Sequence, residues 1–322
     1  MSATRVGVVG VGHLGAHHAR AWSRIPEARL VGVQDPSPEA RERAERELGV
    51  TAYAELDRLL EGVDAVSIAA PTVLHAELTE RILARGIHVL VEKPMASRVS
   101  EGEAMIRAAR RAVRALLVGH VERYNPAVRE ALPHLRSPRF IEAHRLAPIV
   151  PRGIDVDVVL DLMIHDLDLA HLATRSRVSS VEAVGVPVLT PRVDIANARL
   201  TFESGCVANL TASRVSRDKM RKIRFFEANE YLSIDCLHRT VEAYTLAPAE
   251  GADPGDWMRR IRPVPIQVPP LDPLETELRH FLSCLAEPER AVEETGAALE
   301  ALRVAEEIRT QIERRLPQGA LV

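Results

Sequence analysis

Residues 5–15 read RVGVVGVGHLG, and the fold is decided in that stretch. Arg5–Val9 is short, mostly apolar and rich in valine, the composition of a buried strand. Gly10, Gly12 and Gly15 follow in G-x-G-x-x-G spacing, with His13 and Leu14 between the last two, and a helical pattern runs from His13 to about Arg24. Strand, glycine turn and helix is the order that a dinucleotide pyrophosphate requires. Gly10 permits the tight turn, Gly12 lets the backbone approach the phosphates, and Gly15 lets the helix pack closely on the strand. The helix N-terminus then presents its N–H groups to the anion. A second mark is independent of the first. The next apolar stretch, Leu30–Gln34, ends in Asp35, twenty positions after Gly15. A carboxylate at that strand end accepts hydrogen bonds from the adenosine ribose and repels a 2′-phosphate, so NAD is expected over NADP. Ser37 and Arg41 are the neighbours that would relax this preference.

Beyond this unit the first third alternates strand and helix. Apolar runs at Leu30–Gln34, Thr51–Tyr53, Ala65–Ala70, Ile87–Val91 and Ala115–Val118 are separated by helical patterns at Pro38–Leu48, Glu55–Glu61, Leu74–Ala84 and Ser97–Ala112. That alternation is the pattern of a parallel, doubly wound sheet, whose ligands bind at the C-terminal strand ends. Gly10, Asp35, Pro71, Thr72, Glu92 and Lys93 therefore share one edge. From His120 the texture changes. A polar connector, Glu122-Arg123-Tyr124-Asn125-Pro126, leads to a helix near Ala127–His134 and a strand at Phe140–Leu146. One helix, Val158–Thr174, follows, and then a run of strands between Val181 and Leu246. Pro248–Pro273 reads as a loop, and helices at Leu274–Leu285 and Val292–Arg315 close the chain. The expected fold is α/β: an N-terminal Rossmann domain, residues 1–120, and a C-terminal α+β domain, residues 121–322, with a large, open, mostly antiparallel sheet. Such a sheet must cover its second face. Phe202, Val207, Leu210, Ile223 and Phe225 offer apolar positions for that, which suggests a homodimer or homotetramer.

The 322 residues carry a net charge of −3, so no global attraction to nucleic acid or to an anionic membrane surface is expected. No apolar run approaches the roughly 18 residues needed to span a bilayer. The chain enters a strand by Arg5, which leaves no room for a signal peptide and makes the cytoplasm the expected compartment. The three cysteines, Cys206, Cys236 and Cys284, are far apart and suit a reducing environment as buried small side chains.

Two places could carry chemistry. The helix at Val158–Thr174 is apolar nearly all round and reads as buried, yet Asp161, His165 and Asp168 fall at i, i+4, i+7 on one stripe. Asp161 beside His165 would favour the imidazolium, and a histidine that titrates near neutrality suits acid/base work on a hydroxyl. A structural Asp–His pair is the plainer reading of the same residues. His165, Asp166, Asp168 and His171 do not have metal-ligand spacing, so no metal is expected. The second place is Glu92-Lys93-Pro94, at a strand end over the cofactor edge. Lys93 could stabilise developing negative charge on a substrate oxygen, with Glu92 holding the ammonium nearby.

Taken together, Gly10-x-Gly12-x-x-Gly15, Pro71-Thr72 with His75, Glu92-Lys93-Pro94, and Asp161-x-x-x-His165 resemble the Gfo/Idh/MocA family of sugar and cyclitol oxidoreductases, in order and in spacing. The likeness runs to Asp272-Pro273, Glu277 and Phe281 near the C-terminus. The resemblance implies that Lys93 is the catalytic lysine, Asp161 steadies the substrate and His165 is the acid/base. It implies a cis peptide at Lys93–Pro94, and it puts Pro71, Thr72 and His75 along the nicotinamide ribose. One departure stands out: Val158-Val159-Leu160 replaces the glycine pair that members often carry before the aspartate. The connector, with the Ile164–Asp168 run, looks most like the branch that oxidises C3 of UDP-N-acetylated amino sugars. On that likeness Arg123, Tyr124 and Asn125 would help place the sugar. Oxidation of an inositol or aldose, and a non-catalytic NAD-binding sensor, are the alternatives.

Overall fold

The structure, a computed structural model, describes residues 3–149, 156–248 and 257–316. It divides into two compact units, Met1–Val121 with Asp272–Leu302, and Glu122–Leu271 with Arg303–Val322. The sequence reading assigns all of 121–322 to one domain. The difference lies in a C-terminal segment that packs with the first unit, because its apolar residues complete that unit's core.

In the first unit, β1 (Thr4–Val9), α1 (His13–Trp22), β2 (Ala28–Gln34), α2 (Pro38–Leu48), β3 (Ala52–Tyr53), α3 (Leu56–Leu60), β4 (Ala65–Ile68), α4 (His75–Ala84), β5 (His88–Glu92), α5 (Val99–Ala112) and β6 (Leu116–Gly119) follow one another. The six strands form a parallel sheet of order β3-β2-β1-β4-β5-β6. The reversal of direction from β1 toward β2 on one side and β4 on the other is the switch point at which such sheets bind ligands. Val6–Val9 of β1 and all of β4 are buried on both faces, as strands of a helix-covered parallel sheet must be. Local signals set the helix ends: Ser37 caps α2 by accepting from the Ala40 N–H, and Gly49 ends it at φ +65°.

The second unit contains α6 (Pro126–Ala131), β7 (Phe140–Leu146), α7 (Ile164–Thr174), β8 (Val178–Val186), β9 (Ile195–Phe202), β10 (Val207–Ser213), β11 (Met220–Glu227), β12 (Glu230–Asp235), β13 (Thr240–Leu246) and β14 (Ile261–Pro263). Its eight-stranded sheet runs β14-β13-β12-β11-β7-β10-β9-β8 and is antiparallel except where β7 pairs with β10. Residues 249–256 of the expected 248–273 loop lie outside the described residues. The last helices are α8 (Pro273–Cys284) and α9 (Pro288–Arg315). Asp272 caps α8 through the Glu275 N–H. Leu278, Phe281 and Cys284 of α8 join Val6, Trp22 and Leu90 in the core of the first unit. The second half of α9 groups with the second unit, where Gln311 and Arg315 donate to the Val181 and Ala183 carbonyls of edge strand β8.

The large, mostly antiparallel sheet is as expected, but the apolar residues expected on its second face need correction. Phe202, Leu210, Ile223 and Phe225 are buried within the unit, and only Val207 is partly exposed. Strand alternation puts the first four on the helix-covered side. The other face carries cross-strand polar pairs, Asn197 with Thr211, Arg199 with Asn209 and Arg224 with Glu142. Toward one end it carries a row of rings, Phe140, Phe226, Tyr231 and Tyr244, with centroids 5.3–6.2 Å apart.

Candidate active site

The glycine turn has the geometry its spacing predicts. Gly10 sits at φ +82°, and a Cβ there would meet the Ala70 backbone at 2.8 Å. A Cβ on Gly15 would come 1.9 Å from the Gly10 carbonyl oxygen, whereas a Cβ on Gly12 would meet nothing within 4 Å. The first two glycines named are needed to build the turn. Gly12 instead leaves an open approach at the start of α1. Gly12 is the N-cap of α1 and has no side chain to cap the helix, and its first turn holds no acidic residue. The positive end of the helix is thus left to an anion. Exposed His13 and Leu14 flank it.

Asp35, at the end of β2, is half-buried. Its Oδ2 accepts from the Val11 N–H at 2.8 Å and its Oδ1 from the Ser37 N–H at 2.9 Å. The carboxylate therefore holds the glycine turn against β2, and each oxygen keeps a lone pair for a ribose hydroxyl. Arg41 donates to the Asp35 and Pro36 carbonyls and Arg43 to the Val11 carbonyl, so both guanidiniums are tied to the backbone beside this carboxylate. The cradle, the open helix end and the acidic strand end together fit NAD.

On the far side of the switch point, Pro71 and Thr72 lead a single 3₁₀ turn into α4. His75 is buried at the start of that helix, with Nδ1 2.9 Å from the Pro94 carbonyl and Nε2 2.9 Å from the Ala70 carbonyl. The ring thus ties the segment after β4 to the segment after β5. Burial pushes its pKa down against the pull of the two carbonyls and Glu92. Glu92 ends β5. Its Oε1 is 2.8 Å from Nε2 of fully buried His18, and its Oε2 accepts the Lys93 N–H at 3.2 Å. Glu92 therefore fixes the backbone from which Lys93 projects. The Lys93–Pro94 peptide is cis, as expected, and Lys93 is half-buried.

In the second unit the helical stretch is not one α-helix. Val159–Met163 is π-helical, and α7 begins at Ile164. Asp157 caps this entry by accepting from the Val159 and Leu160 N–H groups, and its other oxygen pairs with Arg309. A π turn winds more slowly than 3.6 residues per turn, so Asp161 stands on a different winding from His165 and Asp168, which share the α-helical register of α7. Asp161 and His165 stay half-buried, while Asp166 and Asp168 are buried. Asp168 takes both Arg123 Nε, at 2.7 Å, and Arg123 Nη2, at 2.5 Å. Asp166 takes Arg145 Nε and Nη2, and Arg145 Nη1 reaches Glu122 at 2.8 Å. Glu122, Arg123 and Asn125 of the connector all have side-chain partners. Asn125 caps α6 through the Ala127 N–H and donates to Glu122 and to the Cys236 carbonyl, and Tyr124 is buried. Arg123 thus ties the connector to α7, and Asn125 ties it to Cys236, the residue after β12.

Arg145 was not singled out in the sequence. Its signal was register: in β7, Ile141, Ala143 and Arg145 all point inward, and a charge at an inward position needs a partner. Burial raises the Glu122 pKa, but Arg145 and the Asn125 amide outweigh it and hold the carboxyl below its usual range. For Asp166 burial wins over Arg145, helped by the Glu122 charge, and the carboxyl is raised. The Arg145 guanidinium is held well above its usual value by the two carboxylates, against burial. Cys206, Cys236 and Cys284 are buried free thiols, and burial pushes Cys206 up to about 11.

A glycine turn feeding a helix, an acidic residue closing β2 and a six-stranded parallel sheet define a dinucleotide-binding protein. Residues 4–120 match the oxidoreductase family with an NAD-binding Rossmann fold, and residues 106–229 match the Gfo/Idh/MocA C-terminal domain. The chain belongs to the Gfo/Idh/MocA family and is an oxidoreductase whose first unit is an NAD-binding domain. It is 38% identical to UDP-N-acetylglucosamine 3-dehydrogenase of Acidithiobacillus ferrooxidans over 314 residues, covering 96% of this chain and 97% of that protein. A solved structure of that enzyme shares 37% identity and a TM-score of 0.88, covering 98% of this chain and 99% of that one. A scyllo-inositol 2-dehydrogenase (NAD(+)) of Bacillus subtilis is 30% identical, over 66% of this chain and 68% of that protein. Among the described residues no helix is long and apolar enough to cross a membrane.

Proposed function

We propose that this chain is an NAD-dependent dehydrogenase that oxidises the C3 hydroxyl of UDP-N-acetylglucosamine or a closely related UDP-amino sugar. The observation that supports it best is the end-to-end likeness to UDP-N-acetylglucosamine 3-dehydrogenase, 38% identity over 96% of the chain, where the inositol relative aligns over 66%.

Bound NAD supplies the hydride acceptor. Gly10, Gly12, His13, Leu14 and Gly15 hold its pyrophosphate, Asp35 its adenosine ribose, and Pro71, Thr72, His75 and Glu92 shape the nicotinamide end. His165 takes the proton from the reacting hydroxyl. Asp161 steadies the sugar and favours the protonated ring. Lys93 offers its ammonium to the oxygen as negative charge develops there. Arg123, Tyr124 and Asn125 act on the sugar through the connector they lock, with Arg123 gripping the same helix that carries His165. Residues 1–120 are the cofactor domain, and 121–322, apart from the segment that joins the first unit, bind substrate. The ring-bearing face of the large sheet pairs two copies into a homodimer or homotetramer, and the enzyme works in the cytoplasm, where nucleotide sugars and NAD are available.

The test is NADH absorbance from purified protein with NAD and a panel of UDP-sugars, inositols and aldoses. UDP-N-acetylglucosamine is expected to exceed every cyclitol by at least about tenfold in kcat/KM. A cyclitol or aldose preference overturns the substrate, and NAD binding without turnover on any substrate points to a sensor.

A further inference from the structure

Outside the groups assigned above, the first unit brings three different donor side chains to one point. His280 and Cys284 stand at i, i+4 on α8 and share a face. Glu294 meets them from α9. His280 Nε2 lies 2.7 Å from Glu294 Oε2 and 3.6 Å from Cys284 Sγ, and one ligand atom from each residue lies within 4.8 Å of the other two. Cys284 is fully buried, whereas the His280 and Glu294 side chains are 21% and 29% exposed.

We propose that His280, Cys284 and Glu294 bind a zinc ion that staples α8 to α9. Imidazole, thiolate and carboxylate are all zinc donors. Tetrahedral bonds of about 2.0 Å to nitrogen and oxygen and about 2.3 Å to sulfur put N and S about 3.5 Å apart, and N and O about 3.3 Å apart. The Sγ–Nε2 separation already has that value. The Glu294–His280 contact has to open by about 0.6 Å, a small rotation of two side chains that reach solvent. Their exposure leaves the fourth position to water. One nearby charge opposes the ion: Arg290 Nε is 3.3 Å from Glu294 Oε1. It also fixes the carboxylate with Oε2 toward His280. The ion is structural: it sits beside Leu278 and Phe281 of the core and touches none of the groups assigned to NAD.

The full chain, treated with a chelator, is titrated with Co²⁺ and then Zn²⁺. One equivalent of Co²⁺ is expected to give a thiolate-to-metal charge-transfer band that Zn²⁺ quenches and that Cys284→Ser abolishes. Glu294→Gln keeps a hydrogen bond to His280 and is expected to fold, with an unchanged metal-free Tm and an unchanged NAD-induced rise. It should weaken Zn²⁺ at least about tenfold, the floor set by substitutions outside a ligand shell. It should also lose the zinc-induced rise in Tm. Absence of the band in the wild type, or equal Zn²⁺ affinity in wild type, Glu294→Gln and His280→Ala, overturns the site and leaves the trio as a hydrogen-bonded helix staple.

Discussion

Replacing Arg145 by methionine tests whether the buried charges under α7 hold the second unit together. The side chain is 3% exposed and is shared by two carboxylates that are equally buried, Asp166 at 5% and Glu122 at 7%. Methionine keeps most of the volume and removes the cation. Breaking a buried ion pair by removing one partner costs about 3–5 kcal/mol, because the other charge is left unpaired. Arg221, whose Nη1 lies 3.6 Å from Glu122, softens the loss and argues for the lower end. At roughly 2–4 °C per kcal/mol for a unit of this size, Tm at pH 7 should fall by about 6–12 °C. The pH dependence sharpens the test. In the wild type, Glu122 has a folded pKa below its ordinary value, so it contributes stability above that value and loses it as pH falls through the folded pKa. In Arg145→Met both carboxyls are buried without their cation, and their folded pKa values rise above the unfolded ones. The folded variant then binds more protons than the unfolded chain, and its stability increases as pH falls. The Tm deficit measured by calorimetry should therefore be larger at pH 7 than at pH 5. A deficit under about 2 °C, or one equal at both pH values, refutes the reasoning.

Three further outcomes follow from the geometry. Lys93→Met and His165→Ala should each abolish detectable turnover while NAD still raises Tm; unchanged turnover in both ends their assignment. Gly12→Ala should leave the Tm of the NAD-free protein within about 1 °C, since its Cβ meets nothing, yet lose the NAD-induced rise. Gly15→Ala, with a Cβ 1.9 Å from a backbone oxygen, should lower Tm by itself, and equal behaviour of the two variants contradicts the cradle. Asp35→Ala removes the acceptor for Val11 N–H and the one proposed for the ribose, so NAD affinity by calorimetric titration should drop about tenfold or more while NADP gains relative to NAD.

The first unit was legible because its signals are local. A glycine turn, an acidic strand end and capping residues such as Ser37 lie within a few positions of what they control. What was missed depends on partners far apart in sequence. Asp272–Leu302 returns to the first unit because Leu278 and Phe281 fill its core, and periodicity alone does not say which core a helix fills. Arg145 meets Asp166 and Glu122 across 21 and 23 positions, so only its inward register hinted at them. The π turn at Val159–Met163 leaves no mark in the apolar pattern, so the single helix expected over Val158–Thr174 divides into a π turn that carries Asp161 and an α-helix that carries His165 and Asp168. Arg123, Tyr124 and Asn125 are expected near the sugar from the likeness of the connector, and what the sequence does not show is that Arg123 pairs with Asp168 and Asn125 donates to the Cys236 carbonyl, partners 45 and 111 positions away.

Oxidation at C3 is tested most directly with UDP-N-acetylglucosamine carrying deuterium at that carbon, mixed with NAD and enzyme in equal amounts. The deuterium should appear on the reduced nicotinamide, with a 3-oxo sugar as the product. Deuterium retained in the sugar, or reduced nicotinamide formed without it, contradicts the assignment.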